Sequence, residues 1–453
     1  MLSRIRKSEQ LDMISGNPGR AMIQFAIPII LGNLFQQFYN MVDSIVVGKF
    51  VGENALASVG ASYAVTNVFI AIAIGGGIGS SVIISQYFGA RKMEKMKTSI
   101  FTALINFAVV SLLLSIFGSI FCKSILELLG TPDNVLPDAN TYLRIYFIGL
   151  PFLFLYNIMS SIFNSLGDSK TPLKLLFFSS GLNIVLDVLF VAVFHMGVAG
   201  VAVATLIAQG LSCILSFIIL IMRKLRTYQT EAFEYYSKEI AFKMLVVAIP
   251  SIIQQSIVHM GILLVQSVVN GFGSSVLAGY SAGTRFESIC IVPMIAAGNA
   301  VSTFTAQNMG AKKPERVKEG YKAGIKMVLV SAIIIALIFR FFSEGLLTLF
   351  LDSDSGTLAF NTGLSYLHFV SMFYVFIGAK SCTDGVLRGS GDVAVFTFAN
   401  LVNLTLRVCF AHAVAPLIGV QAVWYAIPMG WFANFIISFI WYLSGKWKNR
   451  KVI

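Results

Sequence analysis

A dozen apolar runs, separated by short polar breaks, constrain this chain more than anything else in its sequence. About 20 apolar residues cross the hydrocarbon core of a bilayer as a helix, and only helices or closed barrels satisfy their backbone there. The runs lie at roughly 22–47, 56–87, 98–121, 139–166, 172–194, 198–222, 241–269, 276–308, 319–341, 361–387, 393–413 and 419–443. An all-α polytopic membrane protein with twelve transmembrane helices is expected. Composition agrees: 57% of the 453 residues are hydrophobic and 12% charged, against about 25% charged in soluble proteins. The net charge of +12 therefore belongs to loops at a lipid bilayer, and no nucleic-acid partner is expected. The five cysteines are an odd number with neither a disulfide framework nor metal spacing. The basic, polar start, Met1 to Arg20, does not read as a cleavable signal peptide.

The breaks give the orientation. Basic ones hold Arg4, Arg6, Lys7 and Arg20, then Arg91, Lys92, Lys95 and Lys97, then Lys170 and Lys174. They continue with Arg223, Lys224, Arg226 and Lys238, with Lys312, Lys313, Arg316 and Lys318, and with the tail Lys446, Lys448, Arg450 and Lys451. Between them lie breaks that are short, neutral or acidic, such as Asp133 with Asp138 and Asp352 with Asp354. The alternation puts both termini in the cytoplasm of a cell with the chain in its inner (plasma) membrane.

The sequence also repeats itself. Gln86-Tyr-Phe-Gly-Ala-Arg-Lys92 returns 221 residues later as Gln307-Asn-Met-Gly-Ala-Lys-Lys313. Phe25-Ala-Ile-Pro28 matches Val247-Ala-Ile-Pro250, Gly167-Asp168 matches Gly391-Asp392, and Gly197-Val198 matches Gly419-Val420. An even number of spans per half returns the chain to the same side, so the halves are parallel repeats. The expected organisation is a six-helix lobe at 1–222, a cytoplasmic linker at 223–240 and a second lobe at 241–453. Gly75-Gly76-Gly77-Ile78-Gly79 lacks the Lys-Ser or Lys-Thr of a phosphate loop. Its small residues four apart fit close helix packing instead.

Polar residues inside spans carry the functional reading. Asp43 closes the stretch Gln36–Asp43 in the first span. An ionisable group there costs about 3 kcal/mol on insertion scales. It marks an ion or proton site or, about one turn from the helix end, a snorkelling aspartate. In the fifth span Asn183 and Asp187 stand four apart, hence on one face. Thr205 lies about seven residues below the outer end of the sixth, so at 1.5 Å per residue Asp43, Asp187 and Thr205 share a depth. That all-oxygen set suits Na⁺ or a shared proton; the plain alternative is unrelated polar residues facing a water-filled cavity. In the second half Arg407 stands in the place of Asp187 and Val265 in that of Asp43. A cation is therefore expected in the first half alone, with Arg407 either a fixed counter-charge or a snorkelling residue. Arg285 and Glu287 are expected to neutralise each other, and Lys380, Asp384 and Arg388 to form a structural ladder on one helix face. His259 reads as a titrating group or a hydrogen-bonded core histidine. Gln36, Gln37, Asn40, Asn157, Gln255, His259 and Arg407 are candidate cavity-lining or supporting polar residues.

The chain resembles the multidrug and toxic compound extrusion (MATE) family, on its DinF-like side. The resemblance rests on Pro28 through Asp43, Val51 to Ala57, Gln86-x-x-Gly-Ala-Arg-Lys, Gly167-Asp168, Asn183 with Asp187, and Leu387-Arg388-Gly-Ser-Gly-Asp392. It implies two six-helix lobes in a V, alternating access, and efflux of amphipathic, often cationic compounds against entering Na⁺ or H⁺, by a monomer without a cofactor. It also implies that Asp43, Asn183, Asp187 and Thr205 hold the ion. Some branches of the family add acids in helices seven and ten of the C-lobe, whereas this sequence has Val258 and His259 in that part of helix seven and no acid at the usual place in helix ten. The rivals are a flippase for lipid-linked precursors from the same superfamily, and an exporter of one specific metabolite. No Asp-Asp-x-x-Asp, His-Glu-x-x-His or Gly-x-Ser-x-Gly motif supports an intramembrane enzyme.

Overall fold

The computed structural model describes residues 13–51, 53–228, 230, 232–349, 351, 358–450 and 452–453, without the side chains of 42–49, 53, 54, 56 and 64. The basic arm Arg4, Arg6 and Lys7, the acidic break at Asp352 and Asp354, Lys451, the side chain of Asp43 and parts of the Val51–Ala57 motif lie outside the described residues. Everything described folds as helices and their connections. In order these are α1 Pro18–Phe50, α2 Glu53–Gly89, α3 Met93–Leu128, α4 Leu136–Ser165, α5 Lys170–Asp187, α6 Gly197–Ile219 and α7 Lys238–Asn270. There follow α8 Ser274–Cys290, α9 Val292–Gly310, α10 Pro314–Leu347, α11 Leu358–Ser371, α12 Tyr374–Ser390, α13 Val393–Ile418 and α14 Gln421–Leu443.

Among the described residues eleven segments are long and apolar enough to cross a membrane, and a bent helix pair makes the twelfth. The segment Ser274–Gly310 is one span made of α8 and α9, and α11 with α12 makes another, bent by 49°. Most helices overshoot their apolar runs, because an amphipathic turn continues a helix into water after the hydropathy signal has ended. The bend at Met372–Phe373 has no Pro or Gly to announce it.

The described chain divides into two compact units, Leu31–Ile252 and Met1–Ile30 with Ile253–Ile453. The division falls inside α1 and α7, two residues beyond Pro28 and Pro250, where a proline removes a helical hydrogen bond and favours a kink. The same pairings recur in each unit. α2 packs on α4 as α9 packs on α12, α4 on α6 as α12 on α14, and α5 on α6 as α13 on α14.

The repeat extends to individual hydrogen bonds. Arg91 and Lys312 both take left-handed backbone, φ 56° and 57°. After each, Lys92 N–H reaches Tyr87 O at 3.1 Å and Lys313 N–H reaches Asn308 O at 2.8 Å. This six-to-one bond closes a helix end. Gly167 and Gly391, φ 79° and 85°, form the second matched pair, with Asp168 N–H on Phe163 O at 2.9 Å and Asp392 N–H on Leu387 O at 2.8 Å. Each following aspartate is tied to the end of α6 or of α14, or to the residues just after it. Lys224 Nζ reaches Asp168 at 2.6 Å. Arg450 Nη2 and Trp441 Nε1 donate to Asp392 at 3.1 and 2.6 Å.

Small residues set the closest approaches. A Cβ on Gly75 would stand 2.6 Å from the backbone of Ile252, and one on Gly79 2.6 Å from that of Ala248. The glycine run is therefore a helix-packing surface in the Leu31–Ile252 unit. Gly385 makes a similar approach on α12, where a Cβ would meet Gly298 O at 2.5 Å. Gly79→Ala must push α2 and α7 apart and is expected to cost about 2 kcal/mol, as overpacking typically does. A thermal unfolding scan in detergent checks it; an unchanged midpoint would mean that the contact is slack.

Candidate cation site

Within the Leu31–Ile252 unit, α5 and α6 lie side by side with α1 close by. Asn183 and Asp187, on one face of α5, are 2% and 1% exposed. Tyr39 of α1 hydrogen-bonds through its hydroxyl to the Asn183 side chain. Thr205 Oγ1 lies 3.5 Å from Asn183 Nδ2. Turned so that both ends of its amide are satisfied, Asn183 donates to Asp187 Oδ2 at 3.2 Å and accepts from Thr205 N–H at 3.1 Å. Asn183 is thus the hinge of the set, touching all three neighbours.

α5 changes register directly after Asp187: Val188–Val193 is a π-helical turn. Such turns widen a helix and are frequent at functional sites. An enclosed carboxyl group inside a span is rare and marks a candidate ion or proton pathway. Asp43 lies four residues after Tyr39 on α1, and its side chain is outside the described residues.

Three of the four expected ion-site residues are therefore brought together, and Tyr39 joins them unforeseen. Its signal was its place four residues before Asp43. Other candidates make local contacts. Gln36 Nε2 donates to Asn40 Oδ1 at 3.1 Å along α1, Asn157 Nδ2 returns to Leu153 O of its own helix at 2.9 Å, and Gln37 is half-buried on α1.

Gln255, His259 and Arg407 belong to the other unit, where Gln255 and His259 are half-buried on α7. Arg407 lies beside Tyr280 and Glu287, and the Tyr366 hydroxyl donates to Glu287. Arg407 and Glu287 are both half-buried, and no ion pair within 4.0 Å joins them among the described residues. On α12 the ladder is only half a ladder. Lys380 pairs with Asp384 at 3.2 Å, and Ser438 and Asn400 donate to the same carboxylate at 2.7 and 3.3 Å. Arg388 instead donates to Ser302 and Asn299 of α9 at 3.1 and 2.9 Å.

Comparison with known proteins identifies the family and the fold. The MatE family model matches residues 28–189 and 250–412, one copy in each half. A "Probable multidrug resistance protein YpnP" of Bacillus subtilis (strain 168) is 31% identical over 442 residues, covering 97% of this chain and 98% of the relative. An "FAD transporter" of Shewanella oneidensis is 27% identical over 345 residues, 75% of each chain. A solved outward-facing "multidrug resistance MATE family transporter of the MOP superfamily" superposes with a TM-score of 0.89 at 25% identity, over 98% of this chain and 99% of that one. The chain belongs to the MATE family of membrane transporters and is not an enzyme.

Proposed function

We propose that this transporter is a secondary active antiporter that exports amphipathic, often cationic compounds in exchange for Na⁺ or H⁺. The observation that carries the reading is the enclosed oxygen set of Tyr39, Asn183, Asp187 and Thr205, with Asp43 one turn along α1. The names of relatives such as YpnP support the substrate class. The working parts are two lobes, 1–222 and 241–453, joined by a cytoplasmic linker at 223–240, with both termini inside. The matched helix ends and pairings support that division. An ion drives the cycle only by favouring one conformation over another. Occupancy draws α1, α5 and α6 together, and the prolines at 28 and 250 are where α1 and α7 bend in response.

A narrower reading, export of one specific metabolite, is favoured by the relative named an FAD transporter. Everted membrane vesicles separate the two. Cationic dyes should accumulate inside them when an outward Na⁺ or H⁺ gradient is imposed, and collapse of that gradient should release them. Accumulation of flavin nucleotide without any cationic dye would replace the first reading by the second.

A further inference from the structure

A cavity of about 640 Å³ lies between the start of α1 and the first half of α10, outside the candidate cation site. Its polar end is formed by Asn17, Glu319, Lys322 and Lys326, and its apolar end by Ile23, Met327 and Val330. The wall made by the N-terminal strap is fixed in place. Asn308 and Lys313 donate to the carbonyls of Met13 and Ile14 at 3.0 and 3.3 Å, and Arg316 donates to that of Gly16. Asn17 caps α1 by accepting from Arg20 N–H at 3.1 Å.

The charges leave one kind of ligand. Glu319 is engaged by Arg316 at 3.9 Å, and Glu315 by Lys318 and Lys448 at 3.3 and 2.7 Å. Lys322 and Lys326, one turn apart on α10, have no carboxylate partner among the described residues. They lie about 12 and 18 Å along the helix from Pro314, near the start of the run at 319–341, and no charged residue follows them from Met327 to Phe339. The two positive charges therefore stand where the membrane interface ends, and the greasy end of the cavity points into the hydrocarbon.

We propose that this cavity holds one anionic glycerophospholipid of the cytoplasmic leaflet. Lys322 and Lys326 bind its phosphate, and Ile23, Met327 and Val330 hold the first part of an acyl chain. The sidedness rests on the cytoplasmic placement of this end given above; the binding itself does not. Basic pockets between transmembrane helices recognise anionic headgroups in this way, each lysine strengthening binding about fivefold.

Native mass spectrometry of the purified full chain tests the proposal without reading transport or orientation. Phosphatidylglycerol should be retained through delipidation and phosphatidylcholine lost. Lys322→Gln with Lys326→Gln should weaken retention about thirtyfold, and Lys318→Gln should leave it unchanged. Val330→Trp, which fills the apolar end from an exposed position with both lysines intact, should also expel the lipid. Millimolar inorganic phosphate should not displace it. Equal retention of both lipids, full retention by the double variant, or displacement by phosphate alone would each overturn the assignment.

Discussion

Asp187→Asn should reduce ion-driven efflux to the background of cells without an exporter, while the protein still inserts and elutes as a single species. The carboxylate is the formal charge that α5 brings to the set, and it is enclosed at 1% exposure. At an effective dielectric near 20, one charge about 6 Å from a bound cation contributes roughly 3 kcal/mol, about a hundredfold in occupancy. The amide of asparagine keeps the shape and loses that attraction. Tyr39→Phe is the graded control. It removes one hydrogen bond to Asn183, worth about 1 kcal/mol, so apparent ion affinity should fall about fivefold while maximal efflux survives. Dye efflux measured across a range of Na⁺ concentrations and pH values reads both variants. Wild-type efflux by Asp187→Asn throughout that range would remove the site from the mechanism.

The spans and the repeat were legible in the sequence because a bilayer imposes a length and because duplicated turns keep their residues. The motif ending at Lys92 and its copy ending at Lys313 predicted one turn used twice, and the matching left-handed Arg91 and Lys312 are that turn. Three site residues were legible for a similar reason: a spacing of four on one helix fixes a face, and a count from the helix end fixes a depth. What stayed hidden depends on which helices touch. Tyr39 is an ordinary aromatic in an apolar run until α5 brings Asn183 to it. The π-helical turn after Asp187 lies in Val-Leu-Phe-Val-Ala-Val, which reads as any buried segment. Arg388 looked like the next rung above Asp384, yet α9 packs close enough to α12 to offer Asn299 and Ser302 instead. Glu287 likewise meets Tyr366, 79 residues away.

Asp168→Asn should lower the stability of the Leu31–Ile252 unit by about 3 kcal/mol near neutral pH, the cost of leaving a largely enclosed partner without its counter-charge. Lys224 is 19% exposed and Asp168 11%, and they meet at 2.6 Å. The same carboxylate accepts from the Thr171 hydroxyl and backbone N–H at 2.8 and 3.1 Å, which secures the first turn of α5. Burial pushes this carboxyl up, but the hydrogen bond and charge of Lys224, with Thr171, pull it further down, so it titrates below the ordinary aspartate value. The sign follows. A depressed folded value means that the stabilisation is complete above the unfolded value, about pH 4, and is lost as pH falls through the lower folded value. The gap in unfolding midpoint between wild type and Asp168→Asn should therefore be constant from neutral pH down to about pH 5 and close only in stronger acid. Lys224→Met should produce a loss of similar size, and adding it to Asp168→Asn should cost little more, because one interaction is removed only once. Fully additive losses would show that the two residues act separately. α5 would then owe its position to α6 packing alone, and the tie from the Gly167-Asp168 turn to the residues just after α6 would have no part in holding Asn183 and Asp187 in place.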